Sequence, residues 1–251
     1  MLLCTVRGCG LPLTRDHRRL VCPQAHSFDI ARTGYVNLLQ PQDRRSKSPG
    51  DSAEMVAARR RLHDRGFTAP LRTAVAEMLG TTRTILEVGC GDGFYIGSLA
   101  PGSGHGVDIS TPAIDAAARR YPECHFVVAN ADRFLPYASG SFSTVISIAA
   151  RMNPLEFRRV LQPDGCLLVG VPAPDDFIEL RGKGRDRVAR TVAEFAREFK
   201  LVNQQRTTTE ADLDAASIED ALKSIYRPLR AEPAGAMRVT FSLDLLFFRA
   251  A

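Results

Sequence analysis

The chain has 251 residues, 45% apolar and 24% charged, proportions of an ordinary globular protein that exclude wholesale disorder. No run approaches the ~18 apolar residues of a membrane span. The start, MLLCTVRGCG, breaks any signal-peptide core with Arg7 and two cysteines, so a cytosolic protein is expected. The net charge of +5 is uneven: residues 1–66 hold 12 Lys/Arg against 6 Asp/Glu and the remainder is close to neutral, as in a nucleic-acid-binding appendage on a neutral body.

Residues 1–40 carry Cys, His, Gly and Pro with little helical periodicity, which predicts short strands and turns. PQDRRSKSPGD (41–51) reads as a basic linker, with Asp51 or Ser52 placed to cap a helix over 52–66 that Gly66 ends. Pro70 starts a second helix through Leu79. Strands are then expected at 83–88, 105–110, 125–131, 143–150 and 165–172, alternating with helices at 111–121 and 153–161. The tail adds a helix (186–199), a strand (201–209), a helix (210–226) and a long strand (237–248), the two strands forming an antiparallel edge. This alternation is that of an α/β fold with a mainly parallel sheet.

Two motifs carry chemistry. Cys4, Cys9, Cys22 and His26 form C-x4-C-x12-C-x3-H, two ligand pairs a dozen residues apart, which suits tetrahedral zinc. Forty residues cannot bury enough apolar surface to fold alone, and a metal supplies the missing free energy. Four protein ligands leave no open position, so the zinc reads as structural. Cys90, Cys124 and Cys166 read as small packing residues. The second motif, EVGCGDGF, ends the first strand of the body and contains Gly89, Gly91 and Gly93. Its carboxylates Glu87 and Asp92 would repel a pyrophosphate, so a dinucleotide such as NAD suits the loop poorly. A sulfonium ligand, S-adenosylmethionine (SAM), suits it better. Asp108, ending the next strand, can accept hydrogen bonds from both ribose hydroxyls, and Asp132 is placed to read an adenine amino group.

EVGCGDG with GVDIS resembles the class I SAM-dependent methyltransferases. CPQAHSFDIARTGYVNLL (22–39) and SPGDSAEMVAARRRL (48–62) narrow the resemblance to the 23S ribosomal RNA (guanine-N1)-methyltransferases, whose members include macrolide-resistance enzymes. The resemblance is strong over 1–66, good over 83–172 and weak beyond. It implies a Rossmann-like, mostly parallel seven-stranded sheet with a zinc-ribbon-like module. It divides the chain into a zinc-binding RNA-recognition module (1–40), a basic linker with helices (41–80) and a SAM-dependent methyltransferase domain (81–251). Its zinc ligands fall on Cys4, Cys9, Cys22 and His26, and its donor loop on Gly89, Gly91, Gly93 and Phe94. It also implies 23S rRNA as partner and a homodimer whose two zinc modules flank a cleft.

The chain departs from the family in three places. The tyrosine that contacts the donor is replaced by Thr68, the acceptor segment reads Ala149-Ala150-Arg151-Met152-Asn153-Pro154, and no histidine follows residue 125. Arg151 is placed to stabilise charge on a guanine O6, and Asn153 to bond the base edge; a surface arginine and a helix cap are the bland alternatives. Arg44, Arg45 and Lys47 would grip phosphates, and of the consecutive Arg59, Arg60 and Arg61 at least one should face solvent or RNA. A small-molecule methyltransferase and a non-catalytic RNA-binding relative are the competing classes.

Overall fold

The computed structural model describes residues 1–44, 46–81, 84–224 and 235–251. Strands β1 (Thr14–Asp16), β2 (Arg19–Val21) and β3 (Ser27–Asp29) form a small antiparallel sheet. The chain then runs through β4 (Val36–Asn37), a 3-10 turn at Pro41–Asp43, and helices α1 (Ala53–Asp64) and α2 (Ala69–Leu79). Ser52 caps α1 by accepting the Met55 amide, and Gly66, at φ +81°, follows its last turn. Asp51, the other candidate cap, is instead ion-paired with Arg59 at 2.6 Å.

The body follows: β5 (Ile85–Val88), α3 (Ile96–Leu99), β6 (His105–Asp108), α4 (Thr111–Arg120), β7 (His125–Val128), β8 (Phe142–Ile148), α5 (Pro154–Val160), β9 (Leu161–Pro172), α6 (Ile178–Arg181), α7 (Val188–Phe195), β10 (Phe199–Leu213), α8 (Ala215–Ser224) and β11 (Met237–Ala250). Ser110 caps α4 and Asn153 caps α5 through their side-chain oxygens.

One sheet runs in the order β10-β11-β9-β8-β5-β6-β7-β4, parallel from β4 to β9 and antiparallel at β11 and β10. That is eight strands where seven were expected. The extra one is β4, whose Val36 and Asn37 pair with Val127 and Val128. The zinc-bearing segment thus ends as an edge strand of the main sheet.

Two expected helices are shorter than read. The one expected from 210 starts at Ala215, because Glu210–Leu213 continue β10 against Thr240–Met237; residues 225 and 226 of that expectation lie outside the described residues. The one expected over 186–199 covers Val188–Phe195, because Phe199 already pairs with Ala250.

Side chains alternate between two apolar layers. Ile85, Ile146 and Leu168 join Leu62, Val75, Ile114 and Ile218 on the face covered by α1, α2, α4 and α8. Leu86, Val145 and Leu167 join Phe28, Phe157 and Phe195 on the face covered by the N-terminal sheet, α5 and α7. The parallel order places the carboxyl ends of β5 to β9 along one edge, where ligands sit in open α/β sheets.

Candidate zinc centre and methyl-donor site

The N-terminal cysteines and histidine converge. Cys9 Sγ lies 3.8 Å from Cys22 Sγ, and His26 Nδ1 lies 3.5 Å and 3.4 Å from the Sγ atoms of Cys4 and Cys22. All four ligand atoms fall within 4.8 Å of one another. Tetrahedral zinc, with Zn–S about 2.3 Å and Zn–N about 2.0 Å, sets S···S near ~3.8 Å and S···N near ~3.5 Å. The cluster therefore fits the ion. Each pair sits on a tight turn: the Gly10 amide donates to the Cys4 carbonyl across the longer first spacing, and the Ala25 amide to the Cys22 carbonyl. Burial pushes the Cys4 thiol up to about 12. Burial also acts on Cys22, but hydrogen bonds from the amides of His26 and Gln24 and from the side chains of Cys9 and Cys4 together outweigh it and draw that thiol down to about 7. Loading the metal must therefore displace protons.

The glycine loop follows β5 at the carboxyl edge. Gly89 adopts φ +74°, and a Cβ there would come within 2.3 Å of the Ala150 Cβ. The loop after β8 thus rests directly on the loop after β5. Glu87 is buried and accepts the Ile96 amide at 2.9 Å. Asp108 accepts the Ser110 amide on Oδ1 (2.8 Å) and the Gly91 amide on Oδ2 (3.0 Å), which turns the carboxylate toward the loop and leaves each oxygen a lone pair for a ribose hydroxyl. Asp92 is buried, and its Oδ2 has no hydrogen-bond partner.

Burial, before any charge effect, holds Glu87, Asp92 and Asp108 above the ordinary carboxyl range, and Asp92 and Asp108 further raise Glu87. A cradle of three strained carboxyls fits a cation that carries hydroxyls and no phosphate. SAM fits that description: Asp108 would hold its ribose, and Glu87 would face its cationic amino-acid end.

Phe94, next in the loop, is buried and stacks on His63, with ring centroids 3.8 Å apart and planes 7° from parallel. Thr68, also buried, has its hydroxyl 2.7 Å from His63 Nδ1. Thr68, His63 and Phe94 are therefore one packed unit. Sequence reasoning missed His63, since a single histidine in RRRLHDRG carries no spacing signal.

Burial, then the charges of Arg59, Arg120 and Arg72, lowers the His63 imidazole from 6.5 to about 3. A base depressed in the folded state contributes stability that is complete above the unfolded value and is lost as pH falls toward the folded one. Between about 6.5 and 3 this amounts to roughly 5 kcal/mol. A His63→Phe variant keeps a stacking ring and removes the titration. Denaturant unfolding at pH 7 and pH 4 is expected to show a clearly smaller loss of stability for the variant; equal losses would refute this account.

The remaining candidates cluster on the acceptor side. Arg151 is exposed and reaches Asp132 at 3.4 Å. Asn153 is engaged with backbone: its Oδ1 accepts the Glu156 amide, and its Nδ2 donates to the carbonyls of Asp132 (3.1 Å) and Ala131 (3.4 Å). It ties the loop after β8 to the loop after β7, which leaves the second lone pair of Oδ1 for a base edge. Asn130 donates to the Asp43 carbonyl at 2.9 Å, and Ser110 to the Asp51 carbonyl at 2.7 Å, so the linker is fastened across the ends of β7 and β6. Of the three arginines in α1, Arg59 pairs with Asp51, Arg60 with Asp64, and Arg61 with Asp220 at 2.5 Å. Arg45 lies outside the described residues.

Comparison with known proteins agrees with both halves of the chain. Residues 4–47 match the family model described as "RlmA, N-terminal", a zinc ribbon, and residues 85–165 match a methyltransferase-domain model. The 23S rRNA (guanine(748)-N(1))-methyltransferase of Streptomyces fradiae is 35% identical over 225 residues, 82% of this chain and 78% of the relative. A Bacillus subtilis protein named as a 23S rRNA (guanine-N(1)-)-methyltransferase is 35% identical over 65% of this chain and 62% of its own length.

Among solved structures, the methyltransferase in complex with the Haloferax volcanii Trm112 activator covers 78% of this chain and 93% of its own, with TM-score 0.54 and 20% identity. A TehB-like SAM-dependent methyltransferase from Corynebacterium glutamicum covers 79% and 98%, with TM-score 0.51 and 17% identity. These two likenesses establish the class I methyltransferase fold. The tetrahedral Cys3His cluster, the glycine loop and the identity sustained across four-fifths of the chain place this protein in the family of the 23S rRNA (guanine-N1)-methyltransferases.

Proposed function

We propose that this chain transfers a methyl group from SAM to N1 of a guanine in 23S rRNA, with the zinc module contributing to RNA recognition. The observation that carries the reading is the joining of a zinc-type cluster to the methyltransferase sheet: the segment that bears it supplies β4 to that sheet, and the linker that follows is tied across the ends of β7 and β6. A small-molecule enzyme has no use for a basic metal module at that edge.

SAM, when bound, supplies the methyl cation equivalent. The residues do the aligning, which is the main catalytic task in an in-line displacement. Asp108 orients the ribose, and Gly89, Gly91 and Gly93 let the backbone approach. Phe94, held by His63 and through it by Thr68, fixes the loop. Arg151, exposed and held only loosely by Asp132, is free to swing to a guanine O6 and offset the negative charge that develops as N1 loses its proton. Asn153 acts as a positioning residue for that loop.

The division into 1–40, 41–80 and 81–251 and a homodimer belong to the same proposal, both resting on the family resemblance. Among the described residues no helix is long and apolar enough to cross a membrane, and a ribosomal substrate supports a cytoplasmic location.

The test is transfer of tritiated methyl from SAM to unmodified 23S rRNA, with the product read by reverse transcription. Incorporation with a stop one nucleotide short of a guanine is expected, because N1 methylation blocks Watson–Crick pairing. No incorporation, from protein that contains zinc and binds SAM, would remove rRNA as the acceptor.

A further inference from the structure

Two basic segments cross the carboxyl edge of the sheet, one on each side of the donor loop. The first is the linker, which leaves β4, passes the ends of β7 and β6, and enters α1; it carries Arg44 and Lys47, both exposed and without an ion pair among the described residues. The second was not visible as a charge excess in the sequence, because acidic residues elsewhere in the body cancel it. Residues 181–190, RGKGRDRVAR, hold five Lys/Arg and one acid.

The segment's course is set by packing. Leu180 is buried in the apolar layer shared with α1 and α2, whereas Val188 and Phe195 pack in the opposite layer. The chain between them must therefore pass from one face of the sheet to the other around the carboxyl edge. It is pinned there by the Gly184 amide, which donates to the Pro174 carbonyl just beyond β9 at 2.6 Å. Lys183, Arg185 and Arg190 are exposed and make no hydrogen bond or ion pair among the described residues.

Between the two crossings lie the ends of β5 and β8, that is, the donor loop and Ala149–Asn153. Glu87 and Asp92 are buried within it, and Asp132, beyond β7, is paired with Arg151. At about 4.8 Å per strand, the span from β6 to β9 is roughly 14 Å. A phosphate backbone is attracted to both basic margins, while an uncharged base can enter between them. That charge pattern suits a few nucleotides of single strand laid across the edge with one base turned in.

We propose that Lys183, Arg185 and Arg190 form a second phosphate-gripping surface, which holds the RNA on the far side of the donor loop from the linker. The proposal rests on the RNA reading above and adds to it a contact surface on the methyltransferase body itself. The linker then grips one flank of the target nucleotide and this strap grips the other, so that the base between them is presented to the methyl group.

The test uses the zinc-loaded 251-residue chain and unmodified fragments that together span 23S rRNA. Binding is titrated across salt for the wild type and for Lys183→Ala/Arg185→Ala/Arg190→Ala. The triple variant is expected to lower the slope of log affinity against log salt by about 2 and to weaken binding roughly tenfold or more near 0.15 M salt. Its SAM affinity, by calorimetry, is expected to match the wild type, since none of the three touches the donor loop. The pair Lys183→Gln/Arg185→Gln, confined to the irregular exposed stretch, is expected to give about two-thirds of the effect and guards against a folding defect in α7. Wild-type slope and affinity in both variants would overturn the strap, as would weaker binding with an unchanged slope, because the contact would then not be to phosphate. Failure of the wild type itself to bind any fragment would instead overturn the RNA reading.

Discussion

Replacing Gly89 by alanine is expected to abolish measurable SAM binding, with affinity falling by about a hundredfold or more, and to lower stability by roughly 2–4 kcal/mol. Two independent effects add at this position. The residue sits at φ +74°, where a side chain costs about 1–2 kcal/mol. Its Cβ would also lie 2.3 Å from the Cβ of Ala150, far inside contact distance. One of the two loops must move, and both belong to the proposed site: the first is the candidate donor cradle, and the second carries Arg151. The two effects can be separated. Ala150→Gly removes the partner atom, so the double variant Gly89→Ala/Ala150→Gly keeps only the backbone strain and is expected to recover most of the lost affinity. Calorimetric titration with SAM reads all three proteins. A Gly89→Ala protein that binds SAM as the wild type does would show that this loop is not the donor site.

The sequence reading went furthest where local pattern and tertiary role coincide. The alternation of short apolar runs with helices between 105 and 172 returned as β6, α4, β7, β8, α5 and β9 in that order. The metal spacing returned as a cluster of tetrahedral dimensions, because four side chains must meet at one ion and their spacing is what turns can deliver. The reading fell short where long-range pairing decides. Val36–Asn37 is too brief to show a period, and its pairing with Val127 and Val128 makes it a strand of the main sheet. EADL at 210–213 has the composition of a helix start, but the facing β11 residues keep it extended. The same limit applies at the site. His63 acts through a ring stacked on Phe94, 31 positions away, and the basic strap at 181–190 matters only because the fold carries it past β9. Asn153 shows both sides. Its cap position before Pro154 was readable from sequence, and its three backbone hydrogen bonds, which tie two loops of the carboxyl edge together, were not.

The second large effect is expected from Cys22→Ser. Serine keeps the size of the side chain but remains protonated where a thiolate must ligate, so zinc content should fall from about one equivalent per chain to a small fraction of that. The consequence follows from how little else holds the module. Its three strands have three residues each, and its buried side chains are few, chiefly Leu13, Leu20 and Phe28. Structural zinc contributes on the order of 10 kcal/mol to such modules, more than a core of this size supplies. Without the ion, residues 1–30 should unfold and expose the face of β7 and the Leu135–Tyr137 turn on which they pack, a change readable by protease cleavage. β5 to β9 and the donor loop are framed by α1 and α4 from the opposite layer, so SAM affinity should change by no more than a few-fold. RNA binding should fall by about a hundredfold, because Arg7, Arg15 and Arg18, all exposed on the module, are no longer held on one surface. A strong chelator added to the wild type should reproduce the loss, and zinc should reverse it. A Cys22→Ser protein that retains zinc, or one that loses zinc yet binds the rRNA fragments unchanged, would detach the metal from RNA recognition and leave the module with no part in the reaction.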